Sequence, residues 1–404
     1  MDTEVGEIVA KLKEDGLLEN TFIFYYGDHG GVLPGSKGYI NEMGVHVPMV
    51  VYIPPKYEDL VTVKIGTQSD AFVSFVDLGA TVLHLAGVEV PEFFDGKPFL
   101  GKGISQQDLE VRDETFSYAD RFDEKYDMVR ALRKGKYKYV RNYQPFNFDG
   151  LMNNYRYKQL GYQQWKQLYD KKELNKVQSQ LFEPNQPEEL YDLEADPNET
   201  RNLAQLPEHQ KKLLELRERL NDYVTEMPDL SFYPEFFLRQ HAFENPIAFG
   251  QNHIADIQRY SRIADAMLLD FDDAKSELQK SLISQDRWER YWALIACSAF
   301  GHEAIAFIDQ IKKIAKEDSE LINQVRATEF LGLINAENPG ITMTKALYQS
   351  KDGAEALLIL NSIVLMQDGQ GYEFNIDKNN LDEVVLKEQQ VVRRLEYLGV
   401  ITAN

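Results

Sequence analysis

The chain has 404 residues, 43% hydrophobic and 27% charged, which is the balance of a globular protein of two or three domains. A net charge of -21 argues against nucleic acid as the main partner, because phosphate binding needs a basic surface. The single cysteine, Cys297, excludes an intrachain disulfide framework; no stretch is expected to reach the length of a membrane span, and the acidic start MDTEVGEIVAKLKEDG is no signal peptide.

Val5, Ile8, Val9 and Leu12 recur at helical spacing and predict an amphipathic helix over Val5–Leu18, with Gly16 marking its end. Thr21–Tyr26 is an unbroken β-branched and aromatic run, which suits a strand buried on both faces of a parallel sheet. Asp28 and His29 follow its end directly, where open α/β sheets bind ligands. Gly30 and Gly31 let the backbone approach a small charged ligand closely. Lys37, the cation of this stretch, sits on a loop broken by Pro34, Gly35 and Gly38, where it can meet an anion held by a metal. An ordinary turn and a solvated lysine explain the same residues. Pro48 opens a second apolar strand, Met49–Ile53.

This stretch resembles the second metal-binding segment of the sulfatases, in the alkaline-phosphatase-like superfamily. The matching words are Glu19-Asn20-Thr21, Asp28-His29-Gly30, Lys37, and the run Asn41 to Pro48. The resemblance implies that Asp28 and His29 ligate a divalent metal, usually calcium, and that Lys37 contacts the sulfate. Two positions depart from the family: Asn41 stands for the usual aromatic and His46 for the usual arginine. The family's N-terminal half carries further metal ligands and a Cys- or Ser-x-Pro-x-Arg segment that yields the formylglycine nucleophile. These 404 residues contain no such segment, so no catalytic nucleophile is assigned. Cys297 lies in Ala-Cys-Ser-Ala-Phe, without the proline or arginine, and reads as a small apolar core residue.

Further along, Asp70–Ala86 predicts a helix whose words Ser74–Leu78 and Thr81–Gly87 resemble a sulfatase helix, with Asp77 structural. Lys134-Gly135-Lys136 predicts a hairpin turn between Met128–Leu132 and Tyr137–Arg141. Arg121 and Asp123 stand just before it as candidate sugar-binding residues, through charge-assisted hydrogen bonds, or as a surface salt-bridge cluster. This region resembles a bacterial, heparan-N-sulfatase-like branch. Phe146–Gln180 reads as an aromatic insertion over the mouth of the site. Glu189–Ala204, ELYDLEADPNETRNLA, resembles a family signature and reads mechanically as strand, Asp-Pro turn and helix start, a structural clasp. From Ile254 the pattern is nearly all helical. Arg290 and Arg326 recur on similar helical words, which suggests HEAT-like repeats or a small shielding helical domain.

The expected fold class is α/β: a partial sulfatase-like mixed sheet, a small antiparallel C-terminal sheet and an all-α, repeat-like C-terminal domain. Expected boundaries are 1–110 for the catalytic-domain part, 111–226 for the antiparallel subdomain, 227–253 for a linker and 254–404 for the helical domain. The resemblance implies hydrolysis of a sulfate ester or sulfamate on a sulfated carbohydrate, with a divalent metal, calcium above others, as cofactor. It also implies a partner polypeptide that supplies the N-terminal half, without which the chain is inactive. Nucleic acid and membrane are not expected partners. Relatives are commonly periplasmic or secreted, and the sequence assigns no compartment. Two other readings stay open: a non-catalytic interaction protein that works through its helical repeats, and a phosphatase-like member of the same superfamily.

Overall fold

The computed structural model describes residues 1–402. A helix over Asp2–Glu14 leads into strand β1 (Ile23–Tyr26), which pairs antiparallel with β2 (Met49–Tyr52) in the register Ile23↔Tyr52 to Tyr26↔Met49. The expectation of a parallel strand buried on both faces is therefore corrected. Such burial needs neighbours on both edges, and among the described residues β1 has only β2, so Tyr25 and Tyr26 stay exposed. The next helix is shorter than expected, Val76–Leu85. Phe72 donates its backbone N–H to the Arg112 carbonyl, which keeps the preceding residues extended.

A four-stranded antiparallel sheet follows, ordered β3 (Glu114–Phe122), β4 (Lys125–Lys134), β5 (Tyr137–Asn142) and β6 (Glu188–Asp192). The turn between β4 and β5 is the expected one: Lys134 pairs with Tyr137, and Gly135 takes the positive φ that the tight reversal requires. Alternation along β4 feeds two cores. Tyr126, Met128 and Leu132 face the helices, while Val129 and Ala131 face Ile40 from the N-terminal segment. The helix Gln210–Glu226 lays Leu213, Leu216, Leu220 and Val224 on the first face, at the spacing of one helical stripe. The clasp closes as its residue types predict. Asp196 accepts the backbone N–H groups of Thr200 and Arg201, and Asn202 Oδ1 accepts those of Leu190 and Ala204.

Residues 227–253 carry the short helices Leu230–Phe232, Glu235–His241 and Pro246–Asn252. Phe232, Tyr233 and Phe236 are buried against Trp288 and Trp292, and Trp292 Nε1 donates 2.8 Å to the Phe232 carbonyl. Beyond them the helices form two layers. Ile254–Asp265, Arg287–Phe300, Leu321–Leu333 and Gly353–Gln370 pack side by side as the inner layer. Phe271–Leu282, Ile308–Glu317 and Gly340–Gln349 form the outer one. Arg287–Glu317 has the length and apolar content of a membrane span, which corrects the expectation that no stretch does. It is interrupted at Gly301, and its Trp288–Ser298 part lies inside the helical core. Cys297 sits there fully buried, and burial pushes its thiol pKa up.

Sheet and helices are joined by ion pairs. Arg130 and Arg141 stand directly opposite each other on β4 and β5, both buried. Arg130 donates to Asp229 at 2.6 and 3.0 Å and to Asp120 at 2.9 Å. Arg141 donates to Asp265 at 3.0–3.1 Å and to the Ala264 carbonyl. Removing one partner of a buried pair strands the other charge, so Asp229→Ala is expected to cost about 3 kcal/mol. Asp229→Ala with Asp265→Ala should cost more than the sum of the two, because only Asp120 then remains to offset the repulsion between the arginines. Urea denaturation of the two single variants and the double variant measures this, and strict additivity would contradict it.

Candidate functional site

The site is built on the loop between β1 and β2. Gly27 donates to the Pro48 carbonyl, and Gly30 to the Gly44 carbonyl. Ser36 Oγ donates 2.8 Å to the Met43 carbonyl, and Lys37 N donates 3.0 Å to the Gly31 carbonyl. These bonds fold residues 30–37 back onto 43–44. A Cβ on Gly30 would overlap the Met43 carbonyl oxygen and Ser36 Oγ, so the close approach itself demands glycine.

Asp28 and His29 meet on this loop. Asp28 Oδ1 accepts the His29 backbone N–H at 3.0 Å, and Oδ2 lies 3.2 Å from His29 Nε2. His29 Nδ1 lies 2.7 Å from the Gly30 carbonyl, which can only accept, so Nδ1 carries the proton. In the neutral ring Nε2 then turns a lone pair toward a carboxylate oxygen. A cation between them, or a second proton on the ring, relieves that contact. The donor set therefore fits a divalent metal: a carboxylate and an imidazole held by a carbonyl behind it. Ligands at about 2.0–2.5 Å span 3.2 Å as one edge of a coordination shell. Among the described residues, no third His, Cys, Asp or Glu joins the pair.

Lys37 leaves the same loop and points toward the insertion, where Nζ donates to Tyr155 Oη at 3.1 Å. Arg121 and Asp123 stand at the tip of the β3–β4 hairpin, and Arg121 lines the cavity that begins at Gly38. Arg121 pairs with Glu235 at 2.7 Å, and Asp123 with Arg393 at 3.4 Å. The structure thus brings Asp28, His29 and Lys37 onto one loop and engages Arg121 and Asp123 with the helical region. The insertion aromatics divide: Phe146, Phe148 and Tyr162 are buried, while Tyr155 meets Lys37 through its hydroxyl.

The Asn41–Pro48 segment is held by charge. Glu42 pairs with Arg133, with Lys138 at 3.3 Å and with His46 at 3.6 Å. Lys138 also pairs with Glu199 at 2.7 Å, whose other oxygen accepts the Glu42 backbone N–H at 2.7 Å. Glu42 thus receives its guanidinium from Arg133 of β4, beside His46. The sequence pattern could not show this, because the two positions are 91 residues apart.

Behind Lys37, a cavity of about 330 Å³ lies between Tyr39, the hairpin and the sheet, lined also by Lys125, Asp149, Arg156, Glu189 and Tyr191. Burial pushes the Glu189 carboxyl up to about 7, against the donors Tyr191 and Asn142 that hold it down. Burial likewise raises Asp149, partly offset by Lys125. Arg156 is buried between the Tyr39 and Phe122 rings and donates 2.7 Å to the Gly38 carbonyl. Sequence reading passed over Arg156. Its one signal was a lone arginine among tyrosines and asparagines in Asn-Asn-Tyr-Arg-Tyr.

Residues 1–88 match the family model described as Sulfatase. These residues are similar to the sulfatase family. The similarity of the chain extends beyond this sulfatase segment. An "Ulvan-active sulfatase" of Formosa agariphila is 39% identical over 236 residues, covering 58% of this chain and 38% of that protein. "Arylsulfatase K" of Homo sapiens is 30% identical over 103 residues, covering 24% of this chain and 18% of that protein. The chain thus spans well under half the length of the curated sulfatases it matches. Among solved structures, BT4656 in complex with its substrate D-glucosamine-2-N,6-O-disulfate aligns at TM-score 0.39 and 21% identity, over 57% of this chain and 40% of that one. BT1596, a 2-O GAG sulfatase, aligns at TM-score 0.34 and 21% identity, over 53% and 40%.

Two outcomes follow from this geometry. Gly30→Ala should displace residues 30–37 from 43–44 and weaken any ligand held by Asp28, His29 and Lys37, with faster amide exchange confined to that loop. Glu189 titrates at about 7 when folded and near 4.5 when unfolded. The unfolded chain therefore loses this proton first as pH rises. The stabilisation is complete below pH 4.5 and is lost as pH climbs to about 7, on the order of 3 kcal/mol in all. Glu189→Gln should flatten that part of the stability–pH profile, measured by urea denaturation from pH 4.5 to 8.

Proposed function

We propose that this chain carries the second metal-binding and anion-binding segment of a sulfatase that hydrolyses a sulfate ester or sulfamate on a sulfated sugar. The observation that carries the reading is the placement of Asp28, His29 and Lys37 on one glycine-held loop inside the sulfatase-matched residues. Asp28 Oδ2 and His29 Nε2 hold a divalent metal, expected to be calcium, with zinc the alternative that an imidazole ligand favours. When bound, the metal supplies Lewis-acid polarisation of the sulfate oxygens. The Gly30 carbonyl fixes the His29 tautomer so that Nε2 is free to ligate. Lys37 stabilises negative charge on the sulfate. The description of the Formosa relative as ulvan-active supports a sulfated sugar as substrate class.

Turnover needs a formylglycine nucleophile, and none of the 404 residues lies in the required Cys- or Ser-x-Pro-x-Arg setting. We place it on further polypeptide that covers the apolar groove of Val5, Val9, Leu18, Ile23 and Tyr52, beside the exposed Val50. The metal assignment is testable on the chain itself. Isothermal titration with calcium and with zinc should show Asp28→Ala and His29→Ala losing about tenfold or more in affinity. An Asp28→Ala chain that keeps full affinity for both ions would sink the assignment.

A further inference from the structure

Lysine is a point charge on a flexible stem, so an ammonium that must meet an anion has to be held in place. Lys37 is held by one residue. Tyr155 accepts from Nζ through its hydroxyl at 3.1 Å, and Nζ lies 4.9 Å from the centre of the same ring. The phenol occupies one of three N–H directions, which leaves the remaining N–H groups for an oxyanion.

Tyr155 is itself fixed from three sides. The Phe122 ring meets it edge-on at 5.8 Å. Asn153 ties the turn to the hairpin, donating 2.8 Å to the Phe122 carbonyl while its Oδ1 accepts the Arg156 N–H at 3.0 Å. Glu124 accepts the Asn154 backbone N–H. Arg156, next along the chain, donates to the carbonyl of Gly38, the neighbour of Lys37. The turn thus grips both the lysine loop and the hairpin tip.

We propose that Tyr155 is a positioning residue for Lys37: its hydroxyl sets the ammonium where a sulfate would meet it. The inference rests on the reading of Lys37 as the sulfate-contacting group. It makes the anion site a joint product of the loop and of the insertion, two segments more than 100 residues apart. The lysine is then competent only when the insertion is seated.

The test is site-resolved acetylation of the 404-residue chain with an N-hydroxysuccinimide ester, read by peptide mass spectrometry. Exposed Lys64 serves as the internal reference. Relative to Lys64, Lys37 should react about tenfold faster in Tyr155→Leu and about threefold faster in Tyr155→Phe, which keeps the ring. Buried Lys125 and Lys138 should stay protected in both variants. Unchanged Lys37 rates overturn the proposal, and so does a rise that Lys125 and Lys138 share, since that is local unfolding. Protection of wild-type Lys37 by inorganic sulfate with calcium tests the anion reading separately. Absent protection, with the variants behaving as stated, removes sulfate from the site and leaves the role of Tyr155 standing.

Discussion

Two arginines face one another across a buried strand pair, and much of this molecule answers that problem. Arg130 and Arg141 cannot share one side of the sheet unless carboxylates come to them. Asp229 and Asp265, both beyond the sheet in sequence, supply the charge. The helical region therefore completes the interior of the antiparallel sheet rather than hanging from it. Other contacts reinforce the same junction: Tyr126 N–H to Asn361, Arg394 to the Glu124 carbonyl, and Arg326 to Gln144. Arg121 and Asp123 also meet this junction, through Glu235 and Arg393.

The opposite face of the sheet works by the same logic at smaller scale. There Lys138 and Arg133 neutralise Glu42, and Glu199 comes from the clasp to balance Lys138. The loop that carries Asp28, His29 and Lys37 is thereby anchored downstream of its functional residues. The sheet is thus covered on both sides, with ion pairs on each.

Much of this was legible along the chain because its signals are local. The Gly135 turn and the Asp196–Asn202 clasp each need only residues within a few positions of one another. The Asp-His-Gly-Gly word and the lysine loop were legible for the same reason. What escaped were pairings set by tertiary packing: Arg133 with Glu42, Tyr155 with Lys37, and Arg156 against Gly38. The apolar run Thr21–Tyr26 misled in a different way. Composition reports how a strand tolerates burial, whereas its neighbours decide whether burial happens. Arg287–Glu317 carries the same lesson in reverse, since an apolar run fit for lipid is here fit for a protein interior.

The lone cysteine gives the molecule an unplanned convenience. Cys297 is sealed within the helical stack, where neither solvent nor oxidant reaches its sulfur, and its thiol is held protonated. The folded chain is therefore chemically silent toward maleimides and spin labels. A single thiol introduced on the lysine loop or the insertion would be the sole reporter in the molecule. Distances and motions between those two segments are open to spectroscopy without first removing anything native.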